Sequence, residues 1–138
     1  MEAPNTENQG RNASRVGIVH YFYDSYAIIE LVKGNQNYLK YGDEVVTITI
    51  FNLAEIYWSV LNDFDENTAE NIYRKFRDSV IDIDDETLKE AIKFRKKYKK
   101  NNLSYTDCIG YIYALKHKLV FLTGDKEFEN LENVEFVK

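Results

Sequence analysis

Short apolar runs of strand length alternate along this chain with longer stretches of helical periodicity, and few architectures accommodate that order. Ile18 to Tyr23 is apolar, aromatic and short, so it reads as a buried strand. Ser25 to Val32 reads as a helix with Gly34 as its stop signal, and Asn37 to Tyr41 as a further short helical stretch. Val45 to Ile50 alternates β-branched residues and is expected to form a second strand, followed by an apolar helix over Asn52 to Leu61. Glu66 to Arg77 carries Ile72, Tyr73 and Phe76 at helical spacing, and Val80 to Ile83 is a short strand. Glu86 to Lys99 reads as an amphipathic helix with Leu88, Ala91, Ile92 and Arg95 on its inner side. Ser104 to His117 is apolar nearly all round, as a buried helix is, and Leu119 to Thr123 and Val134 to Val137 close the chain as strands. The expectation is an α/β fold of three layers, α/β/α, around a mostly parallel central sheet.

The 138 residues fit one domain, and 44% hydrophobic residues suffice for a packed core. Residues 1–17 read as a flexible arm or an expression remnant outside the fold, and residues 18–138 as the single domain. The lone cysteine, Cys108, has no disulfide partner and, with no secretory signal evident, points to a reducing cytoplasm. Val45 to Leu61 is too short, and too interrupted by Thr47, Thr49, Asn52 and Glu55, for a membrane span.

Four acids stand where acids are rare. Asp24 is the only formal charge between Gly17 and Ile29, and Glu55 the only one between Val45 and Leu61. Asp107 is alone between Leu103 and Leu115, and Asp125 ends the uncharged run Leu119 to Gly124. A lone carboxylate in such surroundings is costly unless it is hydrogen-bonded, protonated or bound to a cation. Asp24 and Asp125 follow apolar strands directly, while Glu55 and Asp107 fall near the starts of helices, so all four map to the crevice that open α/β sheets use for ligands. Two carboxylates ~4 Å apart repel by about 4 kcal/mol at an effective dielectric of ~20, and a hard divalent cation relieves this better than a helix N-terminus does. With no Cys or His pair nearby, the donor set suits Mg²⁺ or Mn²⁺ rather than Zn²⁺. One or two such ions would polarise a phosphodiester, activate water and stabilise the leaving oxygen.

Each acid also has a simpler explanation. Asp107 lies three residues after Ser104, at capping-box spacing. Asp125 has the position of a cap for Lys126 to Phe128, Asp24 that of a strand-to-helix cap, and Glu55 that of a satisfied core acid. Capping and metal ligation do not exclude each other.

Tyr23-Asp24-Ser25-Tyr26-Ala27-Ile28-Ile29 resembles the opening strand–Asp–Ser/Thr–helix of PIN domains, and Ile50-Phe51-Asn52-Leu53-Ala54-Glu55-Ile56 resembles their second motif. Leu103-Ser104-Tyr105-Thr106-Asp107-Cys108 resembles the third, and Phe121-Leu122-Thr123-Gly124-Asp125-Lys126-Glu127-Phe128 the fourth. Order and spacing match from about Ile18 to Lys138. The resemblance implies RNA hydrolysis with Mg²⁺ or Mn²⁺ held by Asp24, Glu55, Asp107 and Asp125, and often a homodimer. Size and layout are similar to VapC-type toxins, which implies a small antitoxin partner. Ser25 and Thr123 are expected to hydrogen-bond the carboxylates and hold their orientation. Three departures stand out: the long segment before the first strand, Cys108 where alanine is commoner, and a further fourth-motif acid for which Glu127, with Glu129 behind it, is the nearest candidate on an exposed turn. Cys108 has no identifiable base, and His20 and His117 lack ligand spacing, so none is expected to be catalytic.

Net charge is −5, which by itself does not indicate a nucleic-acid partner. Between Lys89 and Lys100, however, seven cations face Glu90 alone. Lys89, Lys93, Lys96, Lys97 and Lys100 recur along one side of a helix, either to neutralise RNA phosphates or simply to solubilise that face. Three other readings remain open: an RNA-processing nuclease with no antitoxin, a non-catalytic interaction module whose acidic pocket receives a partner's arginine, and an aspartyl-phosphate domain. The last requires an acid neighbouring the nucleophile, which Asp24 lacks in sequence.

Overall fold

The computed structural model describes residues 18–98 and 102–138. The arm over 1–17, together with Lys99 and with Lys100 of the basic stripe, lies outside the described residues.

Three short strands form a parallel sheet in the order β1 (Tyr21–Tyr23), β2 (Val120–Thr123), β3 (Val134–Phe136), so the first strand lies beside one nearly a hundred residues away. Helices α1 (Ser25–Lys33), α2 (Ile50–Asp63), α3 (Glu66–Arg77), α4 (Asp85–Lys97) and α5 (Tyr105–Lys116) cover it, with 3₁₀ turns at Gln36–Tyr41 and Lys126–Phe128. Beyond β1 the sheet continues through single pairings. Tyr23 N–H donates to Thr47 O at 2.9 Å, and Ile48 forms a parallel bridge with Val80.

The period-2 alternation of the strands divides the core into two layers. Tyr23 and Leu122 point to one side, where they meet Ala27 and Ile28 of α1, Leu53, Ile56 and Val60 of α2, and Ala69 and Phe76 of α3. Phe22 and Phe121 point to the other, against Ala91 of α4 and Cys108, Ile109, Tyr111 and Ile112 of α5. The Phe22 and Phe121 rings lie 5.8 Å apart and nearly parallel. The α5 backbone passes directly over them at Gly110, where an added Cβ would stand 2.6 Å from Phe22 Cε1. That close approach accounts for a glycine inside a buried helix, at an intrinsic cost of about 1 kcal/mol relative to alanine. This is the three-layer α/β/α arrangement the strand–helix alternation implies.

Several boundaries differ from expectation. The first strand begins at Tyr21 rather than Ile18, because its partner begins at Val120; Ile18 and Val19 are exposed. Val45 to Ile50 is not a strand. Thr49 caps α2 and forms a capping box with Asn52, which draws Ile50 and Phe51 into the helix and leaves only Ile48 bridged. Likewise only Val80 of the 80–83 segment pairs. The inner face of α4 is rotated by one residue: Thr87 and Ala91 are buried and Phe94 packs on the core, while Leu88 and Ile92 are 40% and 41% exposed. Gly34 does end α1, in the left-handed conformation at φ 82°.

The last residues of the chain are fastened back onto the first half. Tyr21 and Tyr41 both donate to the Glu135 carboxylate, and Tyr38 Oη donates to Val137 O at 2.5 Å. Lys138 Nζ donates to Gly124 O at 3.1 Å. Gly124 is itself hemmed in, since a Cβ there would run into both the Tyr26 ring and the Val137 carbonyl.

Candidate active site

β1 runs out at Tyr23, and the next residue, Asp24, donates its backbone N–H to Leu122 O and caps α1 with its side chain. Oδ1 accepts from Ser25 N at 2.8 Å and Oδ2 from Thr123 Oγ1 at 2.7 Å. The residue is only 3% exposed. Burial, followed by the charge of Asp107, pushes its carboxyl well above the usual carboxylate range; the Thr123 and Ser25 hydrogen bonds offset part of the rise, and Asp125 adds to it.

Thr123, fully buried at the end of β2, connects two acids. Its hydroxyl donates to Asp24 and accepts from the Asp125 backbone N–H at 3.0 Å. Asp125 caps the following 3₁₀ turn, with Oδ1 accepting from Glu127 N at 3.0 Å. At the start of α5, Ser104 and Asp107 form both halves of a capping box, each at 3.0 Å. Burial raises the Asp107 carboxyl, the Ser104 hydrogen bonds lower it, and Asp125 and Glu55 raise it further.

Glu55 approaches from α2. Its Oε1 accepts from Ser25 Oγ at 2.6 Å, and Ser25 Oγ accepts from Asn52 Nδ2 at 2.9 Å. Asn52 is oriented in turn by Thr49, whose backbone N–H and hydroxyl both donate to its Oδ1. One relay therefore runs from the α2 cap through Asn52 and Ser25 to Glu55. Asn52, Thr49 and Ser104 carry no role in the sequence reading beyond the capping-box spacing of Ser104. For Thr49 and Asn52 the legible signal is the same three-residue offset between a hydroxyl residue and a longer polar one.

Asp24, Asp107, Asp125 and Glu55 thus come to one end of the sheet, on separate elements: the charges of Asp107 and Asp125 disfavour ionisation of Asp24, and those of Asp125 and Glu55 disfavour ionisation of Asp107. Among the described residues no three His, Cys, Asp or Glu side chains are gathered tightly enough to surround one ion. No described lysine or arginine forms an ion pair with any of the four either. Their oxygens are hard donors, and Glu55 Oε2 and Asp125 Oδ2 accept no hydrogen bond from a described group. That donor chemistry fits a hard divalent cation.

Glu127 and Glu129 are exposed, while Cys108 is fully buried, its thiol pushed up to about 12 by burial and by Asp107, so it carries no thiolate. His20 is exposed, and His117 stacks on Tyr113 at the far end of α5. Lys93, Lys96 and Lys97 are exposed on α4.

The family profile described as the PIN domain matches residues 21–134, from the first tyrosine of β1 into β3. The chain belongs to the PIN domain family. PIN domains are generally nucleases that use divalent metal ions. A comparison with curated protein sequences found no match. Among solved structures, the PIN fold here is similar to a toxin–antitoxin complex from Klebsiella pneumoniae at a TM-score of 0.67 and 19% identity, covering 83% of this chain and 95% of that one. It is similar to VapBC2 from Rickettsia felis, bound there to a promoter DNA fragment, at a TM-score of 0.65 and 15% identity, covering 86% and 97%. A Pyrobaculum aerophilum protein follows at 0.60 and 20%, covering 86% and 90%. At these identities the likeness establishes the fold. No helix among the described residues of this PIN domain is long and apolar enough to cross a membrane.

Proposed function

We propose that residues 18–138 form a Mg²⁺- or Mn²⁺-dependent endoribonuclease that serves as the toxin of a toxin–antitoxin pair. The observation that carries this reading is Asp24: a buried carboxylate at the carboxyl end of the central strands, with Asp107 and Asp125 near enough to act on it, Glu55 near enough to act on Asp107, and no described cation paired with it. Asp24, Glu55, Asp107 and Asp125 would hold the metal, which when bound supplies Lewis acidity toward a phosphodiester. Thr123 keeps the Asp24 carboxylate turned to the site and fixes the Asp125 backbone beside it. Ser25, backed by Asn52, does the same for Glu55. Hydrogen bonds that orient ligands in this way typically account for 10–100-fold in metal affinity or activity.

An antitoxin partner is favoured by the surface beside the acids. A groove of about 430 Å³ between α1 and α2 is lined by Ser25, Ile29, Ala54, Glu55, Trp58 and Ser59, and Trp58 is 68% exposed. An apolar segment carrying one cation would fill that groove and meet Glu55.

The reading is tested by incubating the purified chain with RNA and Mg²⁺ or Mn²⁺. Cleavage that disappears with chelator and returns with excess metal is expected; activity that resists chelation overturns it. The exposed lysines of α4 supply charge for RNA. Charge reversal at Lys93 and Lys97 together is expected to weaken RNA binding several-fold and to reduce the slope of log affinity against log salt by about 2. An unchanged slope would show that the stripe only solubilises its helix.

A further inference from the structure

Helix α5 is buried along most of its length, yet its first residue is not. Tyr105 is 57% exposed, directly after the Ser104 cap and two positions before Asp107, in the first turn of the helix that carries this acid. It is not loose there. The Arg95 guanidinium carbon lies over the ring, 4.2 Å from its centroid, and Arg95 Nε donates to Leu103 O at 2.9 Å. One hydrogen bond therefore fixes the guanidinium to the chain just ahead of α5, and the guanidinium covers one face of the ring. No other described cation or aromatic ring packs on Tyr105.

We propose that Tyr105, backed by Arg95, is a stacking platform for an unpaired nucleobase, seating single-stranded RNA beside the carboxylate cluster. This deepens the ribonuclease reading and rests on it for the identity of the polymer. Two features favour a base over a protein side chain. Every nucleobase offers a π face to an aromatic ring, and the adjacent cation attracts the phosphates on either side. Trp58, a large exposed aromatic that lines the groove with Glu55, has the opposite setting: no described cation lies over it, and it borders the apolar Ile29 and Ala54. The two aromatics thus differ in setting, and the cation-backed one is suited to a polyanion.

The test measures binding of a labelled single-stranded RNA oligonucleotide, and of the same sequence as a duplex, to the full chain carrying Asp24→Asn so that the ligand stays intact. Adding Tyr105→Leu is expected to weaken single-strand binding about tenfold or more. Adding Tyr105→Phe instead should hold it within about twofold, and neither should move duplex binding by more than about twofold. Binding by the leucine variant equal to its parent overturns the platform. So does equal loss in the phenylalanine variant, which would assign the effect to the hydroxyl, or equal loss on the duplex, which would assign it to general surface charge. A thermal melt confirms that each variant is folded, and Tyr105→Trp, expected to bind at least as tightly as the parent, provides a second arm. The unsubstituted chain is assayed for cleavage in parallel. A chain that cleaves nothing yet shows the Tyr105 effect refutes the ribonuclease reading alone; one that cleaves while Tyr105→Leu is silent refutes the platform alone.

Discussion

Asp24→Asn is expected to abolish RNA cleavage while making the metal-free protein harder to unfold. Loss of activity follows from removing the most deeply buried carboxylate of the four. It should exceed about a hundredfold, the upper range for groups that merely orient a ligand. The gain in stability follows from linkage. Burial and the neighbouring Asp107 charge make the folded acid bind its proton more tightly than the unfolded one. Folding is therefore favoured at low pH, and that advantage is lost as pH rises above the unfolded value near 4 and through the raised folded value. Each tenfold difference between the two ionisation constants corresponds to about 1.4 kcal/mol, or about 3–5 °C in a domain of this size. Asparagine retains an oxygen for the Ser25 N–H and carries no titrating proton. In chelator at about pH 7.5 the variant should melt several degrees above the unsubstituted chain, and the gap should close toward about pH 4. Saturating Mg²⁺ or Mn²⁺ should restore the unsubstituted chain and leave the variant nearly unmoved. A less stable variant in chelator, or a gap that does not change with pH, would show that Asp24 is satisfied by its hydrogen bonds alone.

Gly124→Ala is expected to damage stability and cleavage together. The backbone of Gly124 is ordinary, and the restriction is one of space: the new methyl would meet the Tyr26 ring on one side and the Val137 carbonyl on the other. A ring can rotate away from such a contact, but a carbonyl at the end of a paired strand moves only if the strand moves. Overpacking of this kind costs about 1–3 kcal/mol, roughly 5–12 °C in melting temperature. Gly124 also accepts from Lys138 and joins Thr123 to Asp125, so displacing it shifts both the hydroxyl on Asp24 and the fourth acid. Cleavage measured well below the melt should fall about tenfold or more, as for loss of a ligand-orienting group. Retention of full activity in a destabilised variant would mean that Asp125 is not needed at the site.

The layers of this fold are legible in the sequence because Phe22, Tyr23, Phe121 and Leu122 alternate between two buried faces, and only a sheet covered on both sides needs that. Val45 to Ile50 misleads for a physical reason. β-branched alternation looks the same whether the segment pairs with a neighbour or merely leads, extended, into a capped helix, and the Thr49–Asn52 box decides in favour of the helix. The α4 face is misjudged because a buried threonine, Thr87, sets the rotation while two larger apolar residues stay outside. At the site, the acids stand out by their isolation among apolar neighbours. The wiring between them does not: the sequence marks Ser25 and Thr123 as partners for carboxylates, but nothing local reveals that Ser25 serves Glu55 rather than Asp24, or that Asn52 stands behind it. Those contacts span 27 to 99 positions and exist only once the sheet has formed.

The bond from Thr123 to Asp24 joins positions 99 apart. A ribosome delivers the aspartate 99 residues before the threonine, and domains condense as their segments emerge. Until position 123 has been added, the growing polypeptide therefore carries an acid without the Thr123 hydroxyl to aim it and without Asp125 beside it. Competence arrives in a single late step, when the β2 segment slots in next to β1. Were the chain to cleave RNA as proposed, that order of assembly would keep the nascent product harmless to the messenger and ribosome still making it.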